Sequence, residues 1–204
     1  MKKLIIFTLL ALIAVTTGCG KRNEATMIDP NNDKNPRIMG LGYRDFEQAA
    51  STAVQEMFSS GAVNKPDGGR YIMVVSRVLN DTMQNIDTDL LVKKIRVDLL
   101  RSGRVITTTA MGINGAEDPM VAKARKLRNN DEVNQKNVAR KGKIVAPELS
   151  LSGKIIQRNH RIDSSTDQIE YFFMLTLTEI ETGLAIWEGE TPIIKRGDSG
   201  TVNW

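Results

Sequence analysis

The amino-acid sequence predicts one α/β domain, a mixed and largely antiparallel sheet with helices packed against it. Three patterns carry that expectation. Apolar residues recur at helical spacing in two segments of the first half, runs of strand-forming residues follow each of them, and the last third alternates apolar with polar residues. Helices interleaved with strands, ending in a run of strands, fit a sheet that buries one face against helices.

Phe46, Ala49, Ala50, Ala53, Val54, Met57 and Phe58 mark a first helix from Phe46 to Ser59. Asp45 is its expected N-cap, with Gln48 three residues on as a variant capping box, and Gly61 can end it. After the turn Pro66-Asp67-Gly68-Gly69, the run Tyr71-Ile72-Met73-Val74-Val75 suits a strand buried on both faces, closed by Asn80-Asp81. A second helix is expected from Asp87 or Thr88, with Asp89 favourably placed in its first turn. Leu91, Val92, Ile95 and Leu99 form its inner stripe and Gly103 its stop. Val105 to Thr109 is β-branched throughout and reads as a strand. Asp118-Pro119 opens a third helix through Val121, Ala124 and Leu127, and a further helix is expected around Asp131 to Arg140. Leu149, Leu151 and Ile155 alternate, as do Ile169, Tyr171, Phe173, Leu175 and Leu177, and Glu181-Thr182-Gly183 turns into Leu184 to Glu190. The chain therefore ends in a three-strand meander.

The N-terminus has a different character. Met1-Lys2-Lys3 precedes an apolar run from Leu4 to Val15, then Thr16-Thr17-Gly18-Cys19. A basic start and about a dozen apolar residues read as a secretory signal over residues 1–18, too short for the ~20 residues a bilayer span needs. Cys19 is the only cysteine, so no disulfide can form within the chain. Its place after a small residue resembles a bacterial lipobox, with Thr16 where an aliphatic residue is usual. Lipidated Cys19 would become the mature N-terminus, and Gly20 behind it resembles an outer-membrane sorting signal. Residues 19–41 then form the anchor and a polar tether broken by Pro30, Asn31, Asn32 and Pro36. The 22 residues after the cysteine reach at most ~75 Å stretched and average ~26 Å as a coil. The domain is assigned to residues 42–204.

Charge and composition exclude several functions. Loss of Lys2 and Lys3 turns a net +4 into +2, too even a balance for a nucleic-acid binder. One histidine and one cysteine leave no His/Cys metal cage, and no cofactor is expected. His160 lies in the polar stretch Gln157-Arg158-Asn159-His160-Arg161, read as a hairpin loop, with no nucleophile elbow at any serine. Gly40-Leu41-Gly42 and Gly68-Gly69 lack a phosphate-loop ending. Asp87 with Asp89, and Glu179 with Glu181, fall at helix starts and strand ends, where capping and solvation explain them. Catalytic and metal sites are therefore expected to be absent, and an envelope hydrolase ranks last among the functions. Two features stay open. Lys123, Arg125, Lys126, Arg128, Arg140, Lys141 and Lys143 stand against only Asp131 and Glu132, as a solvated face or as a contact for anionic lipid, wall carboxylates or an acidic partner. Trp187 is expected in the core, and Trp204 in a polar tail from Lys195 onward, as a disordered end or a partner anchor.

The lipobox, Tyr71-Ile72-Met73-Val74-Val75 with Asn80-Asp81-Thr82, Asp87-Thr88-Asp89-Leu90-Leu91, Ser102-Gly103-Arg104-Val105, Pro147 to Ile155, and Glu181-Thr182-Gly183 leading to Ile186-Trp187 share one order and spacing. Together they resemble the penicillin-binding protein activator family of LpoB type, across nearly the whole mature chain. The resemblance implies an outer-membrane lipoprotein, facing the periplasm, that binds a bifunctional penicillin-binding protein and stimulates peptidoglycan synthesis without chemistry of its own. Cys19 is the one residue it transfers; the partner-binding residues stay unassigned. The tether here is shorter than the family's Pro-rich one, and that keeps open an alternative: a structural lipoprotein of an envelope, secretion or surface-appendage assembly.

Overall fold

The computed structural model describes Met27, Asp29, residues 38–112, 117–198 and Gly200. Cys19, the signal segment, all of the tether before residue 38 except Met27 and Asp29, and Trp204 lie outside the described residues. Within the unit Pro36–Trp204, the described residues form α1 (Tyr43–Ser59), β1 (Tyr71–Asp81), α2 (Thr88–Arg101), β2 (Val105–Thr107), α3 (Pro119–Lys126), β3 (Leu149–Arg161), β4 (Thr166–Glu179) and β5 (Ala185–Asp198). The sheet order is β2-β1-β3-β4-β5. β1 runs parallel to β2 and to β3, while β3, β4 and β5 are the antiparallel meander. The expected fold class holds.

One face of this sheet carries the core. Met73, Val75, Leu149, Leu151, Ile155, Phe173, Leu175 and Leu177 meet Ala49, Ala50, Ala53, Val54 and Met57 of α1 and Leu91, Val92, Ile95 and Leu99 of α2. Alanines at three of five inward positions let α1 sit close to the strands. The α2 stripe is the one its spacing predicts, and Trp187 packs, partly buried, at the core's rim. Gly153 faces the core where a Cβ would meet Leu175 Cδ2 at 2.7 Å and the Met174 carbonyl oxygen at 2.8 Å. Only glycine lets β4 approach β3 this closely.

Several local expectations are corrected. Helix α1 starts at Tyr43, with Gly42 as N-cap, so Asp45 is not the cap. It is the third helical residue, and its Oδ2 accepts the Gly42 N–H at 2.8 Å. Carboxylates favour both positions because both face orphan N–H groups. Strand β1 is buried on one face, with Met73, Val75 and Val78 inward and Ile72 and Val74 only half-buried, and it runs on through Asn80-Asp81. β2 ends at Thr107. Gln135–Asn137 is only a 3-10 turn where a helix from Asp131 was expected. There Asn130 and Asn134 accept N–H groups two residues on, at 2.9 and 3.1 Å, an alternative to helical pairing. His160 belongs to strand β3 rather than a loop. Lys195 belongs to β5 and is buried, not the start of a tail. Packing also begins before residue 42: Met39 is buried against Ile169 and Tyr171.

Candidate functional site

His160, Asp87 and Glu179, three of the chemistry-bearing side chains, have structural partners. His160 Nε2 lies 3.3 Å from Glu170 Oε2 in a half-exposed cross-strand pair. Asp87 caps α2, accepting from Asp89 and Leu90 N–H at 3.0 and 3.2 Å, and Glu179 accepts the Thr182 hydroxyl at 2.7 Å. Asp87 and Asp89 do line an open cleft of about 540 Å³ with Arg77 and Asn80. Among the described residues no three metal-ligating groups cluster, and no helix is long and apolar enough to cross a membrane.

The most buried polar site fastens the entry of the chain. Lys195 and Asp45 side chains are 8% and 4% exposed. The Lys195 ammonium donates to Asp45 Oδ2 at 2.5 Å and to the carbonyls of Ile38 and Gly40 at 2.8 and 2.5 Å. Three acceptors match its three donors. Beside it Gln84 Oε1 accepts the Leu41 N–H at 2.9 Å and lies 3.4 Å from the Tyr171 hydroxyl. Burial, and then the Asp45 charge, push that phenol up to about 12. Met39 meanwhile lies over Gly197, whose Cβ would stand 2.6 Å from the Met39 sulfur. A second clasp joins β1 to β3: Glu148 accepts the Lys65 ammonium at 2.5 Å and the Ile72 N–H at 3.1 Å. These bonds hold its carboxyl below the ordinary range.

The sheet face away from α1 and α2 carries an apolar patch. Register places Ile156, Phe172 and Pro192 in one row across β3, β4 and β5, with Lys154, Met174 and Glu190 in the next. Leu79 pairs with Lys154 from β1. Leu79 is 43% and Ile194 59% exposed, while Ile156, Phe172 and Met174 are half-buried. Around this apolar centre three cations are partnered: Lys154 to Asp81 at 2.6 Å, Arg196 to Gln168 at 2.5 Å, and Arg158 with its guanidinium 5.6 Å from the Phe172 ring centre. An apolar, aromatic and Met-containing centre with a polar rim is the anatomy of a protein interface. Sequence reasoning missed this patch. Its signal was the unbroken run Tyr171-Phe172-Phe173-Met174-Leu175, in which the outward residues are as apolar as the inward ones.

Comparison with known proteins now adds the family. The model of the peptidoglycan-synthase activator LpoB matches residues 45–193, well over half of the chain. No curated relative matches. Among solved structures, the LpoB C-terminal domain from Escherichia coli is 13% identical, with 73% of this chain and 98% of that one covered and a TM-score of 0.46. Its Salmonella enterica counterpart is 14% identical over 73% and 98%, at 0.44. The NMR structure of E. coli LpoB is 14% identical over 87% and 78%, at 0.41. By the extent of the family match, this chain belongs to the LpoB family of peptidoglycan-synthase activators.

Proposed function

We propose that this protein is an outer-membrane lipoprotein, anchored through acylated Cys19 and facing the periplasm, that binds a bifunctional penicillin-binding protein and raises its rate of glycan synthesis. The observation that carries the reading is the open sheet face centred on Phe172 and Met174, in a chain of a synthase-activator family. Docking there would favour the synthase's active conformation by the difference in affinity for its two states. This protein would supply surface and no reacting group. With a tether of ~26 Å average span, the domain meets a synthase whose docking module extends toward the outer membrane.

The test is a glycan polymerisation assay on a purified bifunctional synthase, with and without the mature chain. Stimulation by the wild type, lost with Phe172→Asp at unchanged thermal stability, is the expected result. Equal stimulation by both proteins would remove the sheet face from the account, and no stimulation by either would remove the activator role. Labelling with a palmitate analogue tests the anchor separately: Cys19→Ala abolishes the label.

One feature favours the alternative of a self-assembling envelope module. Among the described residues β5 pairs only with β4, leaving a 14-residue strand at the sheet edge. Pro192 and the charges Glu188, Glu190 and Arg196 on that strand act against edge pairing. A large ring on size-exclusion chromatography would favour assembly; a monomer favours the activator.

A further inference from the structure

Between β2 and β3 the chain leaves the sheet and builds a lobe of its own. From Ile106 to Ala146 none of the described residues is buried. Polar bonds brace the lobe instead. The Arg128 guanidinium donates to the carbonyls of Ala139 and Arg140 at 2.6 and 3.1 Å. The Gln135 amide donates to those of Leu127, Asn130 and Val133 at 3.1, 2.8 and 3.1 Å. A braced backbone thus presents outward what a folded chain usually covers: Met120 is 60%, Val145 61%, and Leu127 and Ile144 each 39% exposed. Lys136 joins the seven cations read from the sequence, so residues 121–143 carry eight cations and two carboxylates.

We propose that this lobe is a second membrane contact, which lays the domain on an anionic phospholipid surface. Cations interspersed with exposed aliphatic side chains match such a surface: the charges meet lipid phosphates while the apolar side chains enter the headgroup boundary. A purely electrostatic partner would leave Met120 and Val145 without a use, and a purely apolar one would leave the charge unmatched. The inference rests on the lipoprotein reading for its nearness to a bilayer, because the tether confines the start of the domain to within ~75 Å of the anchor. Occupancy of the membrane would set how freely the sheet face is presented to a synthase.

The experiment is co-sedimentation of the mature chain carrying Cys19→Ala, so that no acyl group contributes. The vesicles are 3:1 phosphatidylethanolamine:phosphatidylglycerol, with pure phosphatidylcholine as the neutral control. Binding to the anionic vesicles that falls as salt rises is the expected result. Each cation near such a surface strengthens partitioning roughly five-fold, so Lys123→Gln/Lys126→Gln weakens it about 25-fold. Val145→Ser weakens it by roughly five-fold through lost apolar contact. Arg128 is left intact because it braces the lobe. No binding to anionic vesicles, equal binding to neutral ones, or binding only to isolated peptidoglycan sacculi would each overturn the proposal. Palmitate labelling of the wild type fails or succeeds independently of these outcomes, so loss of the anchor reading is distinguishable.

Discussion

Loss of Lys195 leaves a buried polar site without its central donor. Replacing it with Met keeps most of the volume and removes the charge. The Asp45 carboxylate, 4% exposed, then loses the Lys195 ammonium, and the carbonyls of Ile38 and Gly40 lose a donor. Breaking a buried ion pair from one side costs about 3–5 kcal/mol, a large share of the roughly 5–15 kcal/mol that holds a domain together. With a urea m-value of about 2 kcal/mol/M, the midpoint falls by about 2 M. Adding Asp45→Asn should recover much of that loss, since the amide oxygen can still accept the Gly42 N–H without a buried charge. A double-mutant cycle from urea melts reads the coupling directly. Limited proteolysis adds a local readout, because Lys195→Met should free Ile38–Gly40 and expose the chain near Met39 to cleavage. A loss under 1 kcal/mol, or a double mutant whose loss equals the sum of the singles, would refute the reasoning.

Gly153→Ala sets a new Cβ against the Met174 carbonyl oxygen at 2.8 Å, so β3 and β4 must part; a loss of about 1–3 kcal/mol in a urea melt is expected. The Tyr171 phenol, pushed from 10.0 up to about 12, stays protonated in the fold after the unfolded chain has begun to ionise. Stability from this group is full below pH 10 and lost between 10 and about 12, and Tyr171→Phe should spare roughly 2–3 kcal/mol of that alkaline loss. Glu148 has the opposite sign: its carboxyl is held below the ordinary 4.5 by the Lys65 ammonium and then the Ile72 N–H. Its contribution is present above that range and lost as pH falls through the folded value, so Glu148→Gln should flatten the acid limb of a stability–pH profile.

How far the sequence foretold the structure varied with the physics at each position. The α2 stripe and its Asp87 cap were legible because both are local: spacing sets the buried face, and a carboxylate meets N–H groups two and three residues on. The meander was legible for the same reason, as alternation over β4 repeats with every second residue. What failed depended on partners distant in sequence. Lys195 looks like the beginning of a tail until Asp45, 150 residues earlier, closes on it. Asp45 looks like a helix cap until Gly42 takes that place. Apolar runs were ambiguous in both directions: Ile72 and Val74 seemed fit for burial and are half-covered, while Phe172 and Met174, between the alternating core residues, lie half-buried on the opposite face. Alternation shows that two faces exist, but which one is covered is settled by where α1 and α2 pack.

The central claim, that the open sheet face touches a peptidoglycan synthase, is tested most directly by site-specific photocrosslinking in intact cells. A photoreactive amino acid is placed at Phe172, and in a second strain at the exposed Lys93 of α2, with adducts identified by mass spectrometry. The account predicts a bifunctional penicillin-binding protein captured from position 172 and not from 93. A synthase captured from 93 alone, or from neither, would contradict it.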